Sequence, residues 1–302
     1  MEALRRPRMH RVGTCKSIAL TARDLEVFRC LVRYRYLRST YLHAFAGGAS
    51  EKRFIERLCD LFHGGLVDRA AQQWRFANAR CRPLVYEAAA KARKLLEVSA
   101  GGDPAKRTFL ASAIHAQFEH SLMICQCLAS IELAAQAQSD LRFIAWPEIL
   151  SRAPEATRTS AYPFRLEGAG GAIIPDAVFG LEYRAEGKSA YRFFALEIDR
   201  GTMPLNRSNN SLTSYLAKLS AYRDILAGDI PKSRWGVPNL FVLTVTFSGE
   251  RLSNMLQCAS ERGGSPRFLF KSLSEAALVK PASDLLNAPW QRAGLGPLTI
   301  AE

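Results

Sequence analysis

Two acids one residue apart close an apolar run. Glu197 and Asp199 end the stretch Tyr-Arg-Phe-Phe-Ala-Leu-Glu-Ile-Asp at residues 191–199, and the chain then breaks at Gly201. Such a run reads as a buried central strand, on which positions i and i+2 leave the same face. Carboxylates crowded onto one buried face repel each other unless a cation or solvent reaches them. A second apolar run, residues 172–179, carries its own acid, Asp176. Paired as neighbouring strands, the two runs bring three acids to one point. Lys218 follows downstream on a predicted helix, at the flank of its apolar stripe and on the side of Tyr222, so it can reach inward along its stem. Asp176 and Glu197 would be oxygen ligands for Mg²⁺ or Mn²⁺. Asp199 would complete the acidic set, and Lys218 would stabilise charge developing on a phosphate. That set, Asp176, Glu197, Asp199 and Lys218, is the chemistry of a metal-dependent phosphodiesterase. The plainer alternative is that these acids cap strand ends in water.

The elements that must position these groups follow from hydrophobic periodicity. A long helical pattern spans 109–138. His115, Glu119 and His120 sit near its start, with His115 and Glu119 four apart on one face. A metal pair there is the sharper reading and a core histidine beside a surface glutamate the commoner one. A short strand follows at 141–146, then the Asp176 strand, a turn at 185–188 and the Glu197 strand. Residues 211–226 read as a helix burying Leu212, Tyr215, Leu216, Leu219, Tyr222 and Leu226. Residues 239–247 are another buried strand, 251–262 a helix and 268–270 a last strand. The order predicts a mixed sheet flanked by helices.

The first third differs in charge. Residues 1–110 hold 22 Lys/Arg against 10 Asp/Glu, while the remaining residues hold 19 against 18. A basic part joined to a neutral part fits nucleic-acid binding by one domain. Thr21 caps a helix with Asp24 at its third position, and Leu25, Phe28, Leu31 and Val32 follow at helical spacing. A short helix runs from Ser39-Thr40 to Phe45. Ser50 caps a third over 51–63, with Phe54, Ile55, Leu58, Leu61 and Phe62 inward. Two strand-like runs, 66–69 and 82–86, flank a basic connection. Three helices and a hairpin predict a winged helix-turn-helix whose third helix enters the major groove of double-stranded DNA. Lys52, Arg53 and Arg57 lie outside the apolar set of that helix, and Arg69, Arg75, Arg80 and Arg82 populate the hairpin. These seven are the candidate DNA contacts.

The chain of 302 residues, 48% hydrophobic, suits two domains with packed cores. The expected layout is a basic flexible tail at 1–18, a winged helix-turn-helix domain at 19–98, a Gly- and Pro-containing linker at 99–107 and an α/β domain at 108–302. No apolar run of about 18 residues exists to span a membrane, and the basic start lacks the apolar stretch of a secretory signal. Seven scattered cysteines without a C-x-x-C pair suggest reduced thiols and a cytoplasmic setting.

Two resemblances follow from these residues. Pro175-Asp176 with Glu197-Ile-Asp199 resembles the PD-(D/E)XK nuclease pattern, whose second half ends in lysine. Asp199 stands in the lysine position, and Lys218 would take over its role, as in members with a relocated lysine. This resemblance implies a restriction-endonuclease-like sheet and an endonuclease activity, or a degenerate relic of one. From about residue 18 to about 245 the chain also resembles the replication-relaxation family of bacterial plasmids and other mobile elements. That match rests on Leu20-Thr-Ala-Arg-Asp24, on Arg57-Leu58 with Gly65-Leu-Val-Asp-Arg69, and on Pro175-Asp-Ala-Val-Phe179. It rests further on Leu196-Glu-Ile-Asp-Arg-Gly-Thr202 and Lys218-Leu-Ser-Ala-Tyr222. It implies DNA binding, a role in plasmid replication, relaxation or mobilisation, and replication or relaxosome proteins as partners. The expected fold class is thus α+β with two domains.

Overall fold

Local capping chemistry sets where the first helix begins. In a computed structural model, which describes residues 6–13, 17–75, 78–99, 118–201, 215–261 and 265–302, helix α1 spans Ala22–Tyr34. Thr21 Oγ1 accepts from Asp24 N at 3.2 Å, and Asp24 Oδ2 accepts from Thr21 N at 2.8 Å. This reciprocal pair satisfies two end groups that the helix itself leaves open. Strand β1 (Leu37–Arg38) leads into α2 (Ser39–Ala46), and α3 (Glu51–His63) begins at Ser50, whose Oγ accepts from Arg53 N. β2 (Val67–Arg69) and β3 (Val85–Ala88) join β1 in an antiparallel sheet of order β1-β3-β2, and α4 (Ala90–Ser99) follows. Phe54, Leu58, Leu61 and Phe62 of α3 are buried as expected, but Ile55 is 43% exposed. Its position one residue past Phe54 turns it 100° away from the apolar stripe.

Residues 6–13, within the expected flexible tail, make several contacts with the folded unit. Arg6 pairs with Asp60 at 2.6 Å, and Val12 N donates to His63 Nδ1 at 3.0 Å. Arg11 donates to the Phe62 and Val67 carbonyls at 2.9 and 3.1 Å and pairs with Asp68.

The chain divides into two compact units, Met1–Ala129 with Val279–Pro281, and Ser130–Leu278 with Ala282–Glu302. From residue 100 onward the expected linker at 99–107 lies outside the described residues, as do His115 and the expected helix start at Ser211.

After α5 (Phe118–Gln136), the second unit is built on one large sheet. Its elements in order are β4 (Leu141–Ile144), α6 (Trp146–Arg152), α7 (Glu155–Arg158), β5 (Leu166–Gly168), β6 (Gly171–Ile173), β7 (Ala177–Ala185) and β8 (Lys188–Asp199). Then come α8 (Tyr215–Ala227), α9 (Ile230–Trp235), β9 (Phe241–Thr246), α10 (Gly249–Glu261), β10 (Phe268–Ser272), α11 (Asp284–Asn287), β11 (Trp290–Arg292) and β12 (Leu295–Leu298). The seven-stranded order is β12-β11-β10-β9-β8-β7-β4, with β8, β9 and β10 parallel to one another and the other pairings antiparallel. The architecture is therefore α+β with a large mixed sheet. The expected single strand at 172–179 is split at Pro175-Asp176 into β6 and β7. Proline supplies no ladder donor, so the break falls there.

Register in this sheet is held by two features. Glu186 and Gly187 both have positive φ, 49° and 76°, closing the β7–β8 hairpin as a tight two-residue turn. Phe143, Phe179, Phe194 and Phe241 then stack across β4, β7, β8 and β9 at centroid spacings of 5.4, 4.9 and 5.9 Å. A slip of one residue would turn every side chain to the other face. The ladder thus commits the opposite face of β8, with Glu197 and Asp199, to the side covered by α8.

Candidate functional site

Neighbouring strands place the acids. β7 pairs with β8 through Ala177↔Leu196, so one step further along the register sets Asp176 opposite Glu197. Asp176 Oδ2 accepts from Ile198 N at 2.8 Å, which fixes its carboxylate at the strand end. Glu197 is only 4% exposed.

Helix α8 supplies the counter-groups. Tyr215, Leu219, Tyr222 and Leu226 bury one stripe at helical spacing. Lys218 lies one turn before Tyr222 on the same side of the helix, and both side chains reach Glu197. Lys218 Nζ donates to Glu197 Oε2, and the Tyr222 hydroxyl donates to Oε1. Tyr215 is hydrogen-bonded to Thr244 of β9 at 3.2 Å.

The electrostatics are those of a carboxylate taken out of water. Burial pushes the Glu197 carboxyl up to about 7, the Lys218 ammonium pulls the other way, and the nearby Asp176 charge adds to the rise. Burial also opposes the charge on Lys218, but the acids beside it, Glu197 first, outweigh that and hold the amine above its ordinary value. Burial and the Glu197 charge push the Tyr222 hydroxyl well above its usual range, so it stays a donor.

Asp199 stands apart from this group. Its carboxylate takes a two-pronged ion pair from Arg251 of α10, Nε to Oδ2 at 2.7 Å and Nη2 to Oδ1 at 3.1 Å. Asp199 thus forms a partly buried pair with Arg251, while its charge also helps to hold the Lys218 amine above its ordinary value. Arg251 and the hydroxyl of Tyr222 were not legible as site groups. Tyr222 stood out as part of an apolar stripe and of the Lys218–Tyr222 motif, neither of which points to its hydroxyl, and no short-range pattern links Arg251 to an acid 52 residues away.

Asp176 and Glu197 offer two carboxylates of the kind that hold Mg²⁺ together with several waters. Each Glu197 oxygen already accepts one hydrogen bond, from Lys218 and from Tyr222, and keeps a second lone pair that an ion would use. Among the described residues no group of three or more His, Cys, Asp and Glu side chains is placed to hold a metal, and Glu119 with His120 forms none.

The first unit carries the cations. Lys52 and Arg53 are exposed on α3, Arg75 and Arg80 are exposed in the connection between β2 and β3, and Arg82 is half-buried beside them. Lys52, Arg53, Arg75 and Arg80 make no side-chain ion pair among the described residues. Two other candidates are turned inward. Arg57 grips the buried Asp24 through Nε at 3.0 Å and Nη2 at 2.6 Å, and also donates to the Ala19 carbonyl at 2.7 Å. Arg69 is buried over the Phe62 ring at 4.1 Å and donates to the Arg8 carbonyl at 2.8 Å. Arg57 thus spends Nε and Nη2 on partners within the fold, and Arg69 one guanidinium nitrogen, its Nε being buried without a hydrogen-bond partner among the described residues.

No helix among the described residues is long and apolar enough to cross a membrane. A protein-family model described as Replication-relaxation matches residues 28–238. Neither the curated proteins nor the solved structures contain a match.

Proposed function

The chain belongs to the replication-relaxation family, and from that premise we propose that it is a DNA-binding protein of plasmid or mobile-element replication, relaxation or mobilisation. In this reading the first unit is a winged helix-turn-helix. The order of three helices, a β2–β3 hairpin and a closing helix supports it. Helix α3 enters the major groove with Lys52 and Arg53, and the β2–β3 connection lies along the phosphates with Arg75, Arg80 and Arg82. The observation that carries the reading is that Lys52 and Arg53 project from the outer face of α3 with no internal acid to neutralise them. The partners are double-stranded DNA and other replication or relaxosome proteins, in a cytoplasmic setting.

Five such cations on phosphates give a log–log salt slope of about −4.5, so duplex affinity should fall roughly 500-fold between about 50 and 200 mM salt. Fluorescence anisotropy with a labelled duplex measures it. Lys52→Ala and Arg53→Ala should each weaken binding and flatten the slope by about 1. A slope near zero would refute the groove-docking arrangement.

A second reading, a Mg²⁺- or Mn²⁺-dependent endonuclease, is favoured by the Lys218 amine on Glu197 with Asp176 opposite. A bound divalent ion would activate water and steady phosphate charge. Asp176 and Glu197 would hold it, Lys218 would face the phosphate, and Tyr222 would orient the Glu197 carboxylate. Supercoiled plasmid incubated with Mn²⁺ should then be nicked, and Asp176→Ala should abolish nicking. Nicking that survives in the variant would come from elsewhere, and an inert wild type leaves the first reading standing alone.

A further inference from the structure

An open cavity of about 450 Å³ lies in the first unit, lined by Arg6, Arg8, His10, Trp74 and Arg80 among others. Its volume is within the range of about 300–1,000 Å³ typical of small-ligand sites. One wall is the lead segment with Arg6, Arg8 and His10, and the other carries Trp74, from the 3₁₀ turn Ala71–Arg75, and Arg80. The wall is positioned by groups already described. Buried Arg69 holds the Arg8 carbonyl, and the Arg8 guanidinium in turn donates to the Arg80 carbonyl at 2.8 Å.

The lining has a particular chemistry. Asp60 neutralises Arg6, whereas Arg8 and Arg80 pair with no acid among the described residues, so the cavity is cationic. Trp74 is half-buried, and no ring or cation among the described residues stacks on it. A flat, unstacked indole beside two uncompensated guanidinium groups suits a ligand that is a planar ring at one end and an anion at the other. Unpaired nucleotides have that form, since every base offers a π-face and every phosphate a charge. Arg75 and Arg82 stand one and two residues along the chain from the lining side chains Trp74 and Arg80, and positive charge so near the cavity suits a strand continuing beyond one nucleotide rather than a free small molecule.

We propose that this cavity seats one unpaired nucleotide of single-stranded DNA, its base stacked on Trp74 and its phosphate on Arg8 and Arg80. The site is separate from the outer face of α3 and does not require that face to read a duplex; it shares only Arg80 with the duplex reading, so the variants that test it are at Trp74 and Arg8.

The test uses the full chain, a fluorescein-labelled oligo-dT and a labelled blunt duplex, with anisotropy as the readout. Trp74→Ala should weaken oligo-dT binding about 5- to 100-fold, Trp74→Phe should restore most of it, and duplex affinity should change by less than about twofold. Arg8→Ala should weaken oligo-dT binding and reduce its salt slope by about 0.7. It decides the matter should circular dichroism show Trp74→Ala misfolded. Thymidine monophosphate should displace oligo-dT at far lower concentration than inorganic phosphate. Oligo-dT binding unaffected by Trp74→Ala and Arg8→Ala, an equal loss on the duplex, or equal displacement by phosphate alone each overturns the proposal. Lost duplex binding with oligo-dT binding intact would instead sink only the groove-docking reading.

Discussion

Replacing Arg57 with alanine is expected to destabilise the first unit by about 3 kcal/mol, because it strands a buried carboxylate. Asp24 is 2% exposed and sits at the start of α1, where Thr21 and Arg57 supply its donors. Thr21 remains in the variant, which keeps the loss at the lower end for a broken buried pair. The pH dependence has a definite sign. Burial pushes the Asp24 carboxyl up, but the Arg57 and Thr21 hydrogen bonds outweigh it and hold the group below its ordinary value. A depressed carboxylate contributes stability that is present above its unfolded value, about 3.9, and is lost as pH falls through the folded value. The gap between wild type and Arg57→Ala should therefore be constant from neutral pH down to about 5 and narrow below about 4. Urea unfolding across that range measures it. Folded variant should still bind duplex DNA within about twofold, since two of the three guanidinium nitrogens already face Asp24 and the Ala19 carbonyl rather than solvent. A variant of wild-type stability with lost DNA affinity would return Arg57 to the DNA interface.

Arg57 also marks the line between what sequence can and cannot disclose. Features set within a few residues were legible: the Thr21–Asp24 box, the Ser50 cap, the turn at Glu186-Gly187, and the stripe on α8 that sends Lys218 toward Glu197. The features that escaped depend on chain segments far apart in sequence. Arg57 and Arg69 look like surface cations on a basic helix and hairpin until residues 8 and 19–24 are laid against them. Nothing near Asp199 in sequence announces its partner Arg251, which arrives from another helix. Ile55 is a different case, an apolar residue read as inward by its type although its angular position lay outside the stripe. The strand break at Pro175-Asp176 was available from proline alone, and it matters because it frees Asp176 to turn its carboxylate onto the next strand's backbone.

Lys218→Met should cost about 3 kcal/mol at pH 8 and little at pH 5, measured by urea unfolding in the presence of a metal chelator. Burial is the largest influence on Glu197 and lifts it to about 7, against about 4.3 in the unfolded chain. A raised carboxyl contributes stability that is full below the unfolded value and is lost as pH rises through the folded one, here from about 4 to about 7. Lys218, held above its own ordinary value, remains protonated throughout that window. At pH 5 both proteins therefore hold a neutral Glu197, with Tyr222 still bonded to it, and the substitution removes little. At pH 8 wild type holds an ion pair. The variant must instead bury a lone carboxylate or take up a proton, and its Glu197 titrates above about 7. Carboxyl-carbon NMR of the labelled glutamates reads that displacement directly. Equal destabilisation at both pH values would mean that the lysine stem contributes by packing alone, and the charge relation among Asp176, Glu197 and Lys218 on which the endonuclease reading depends would go with it.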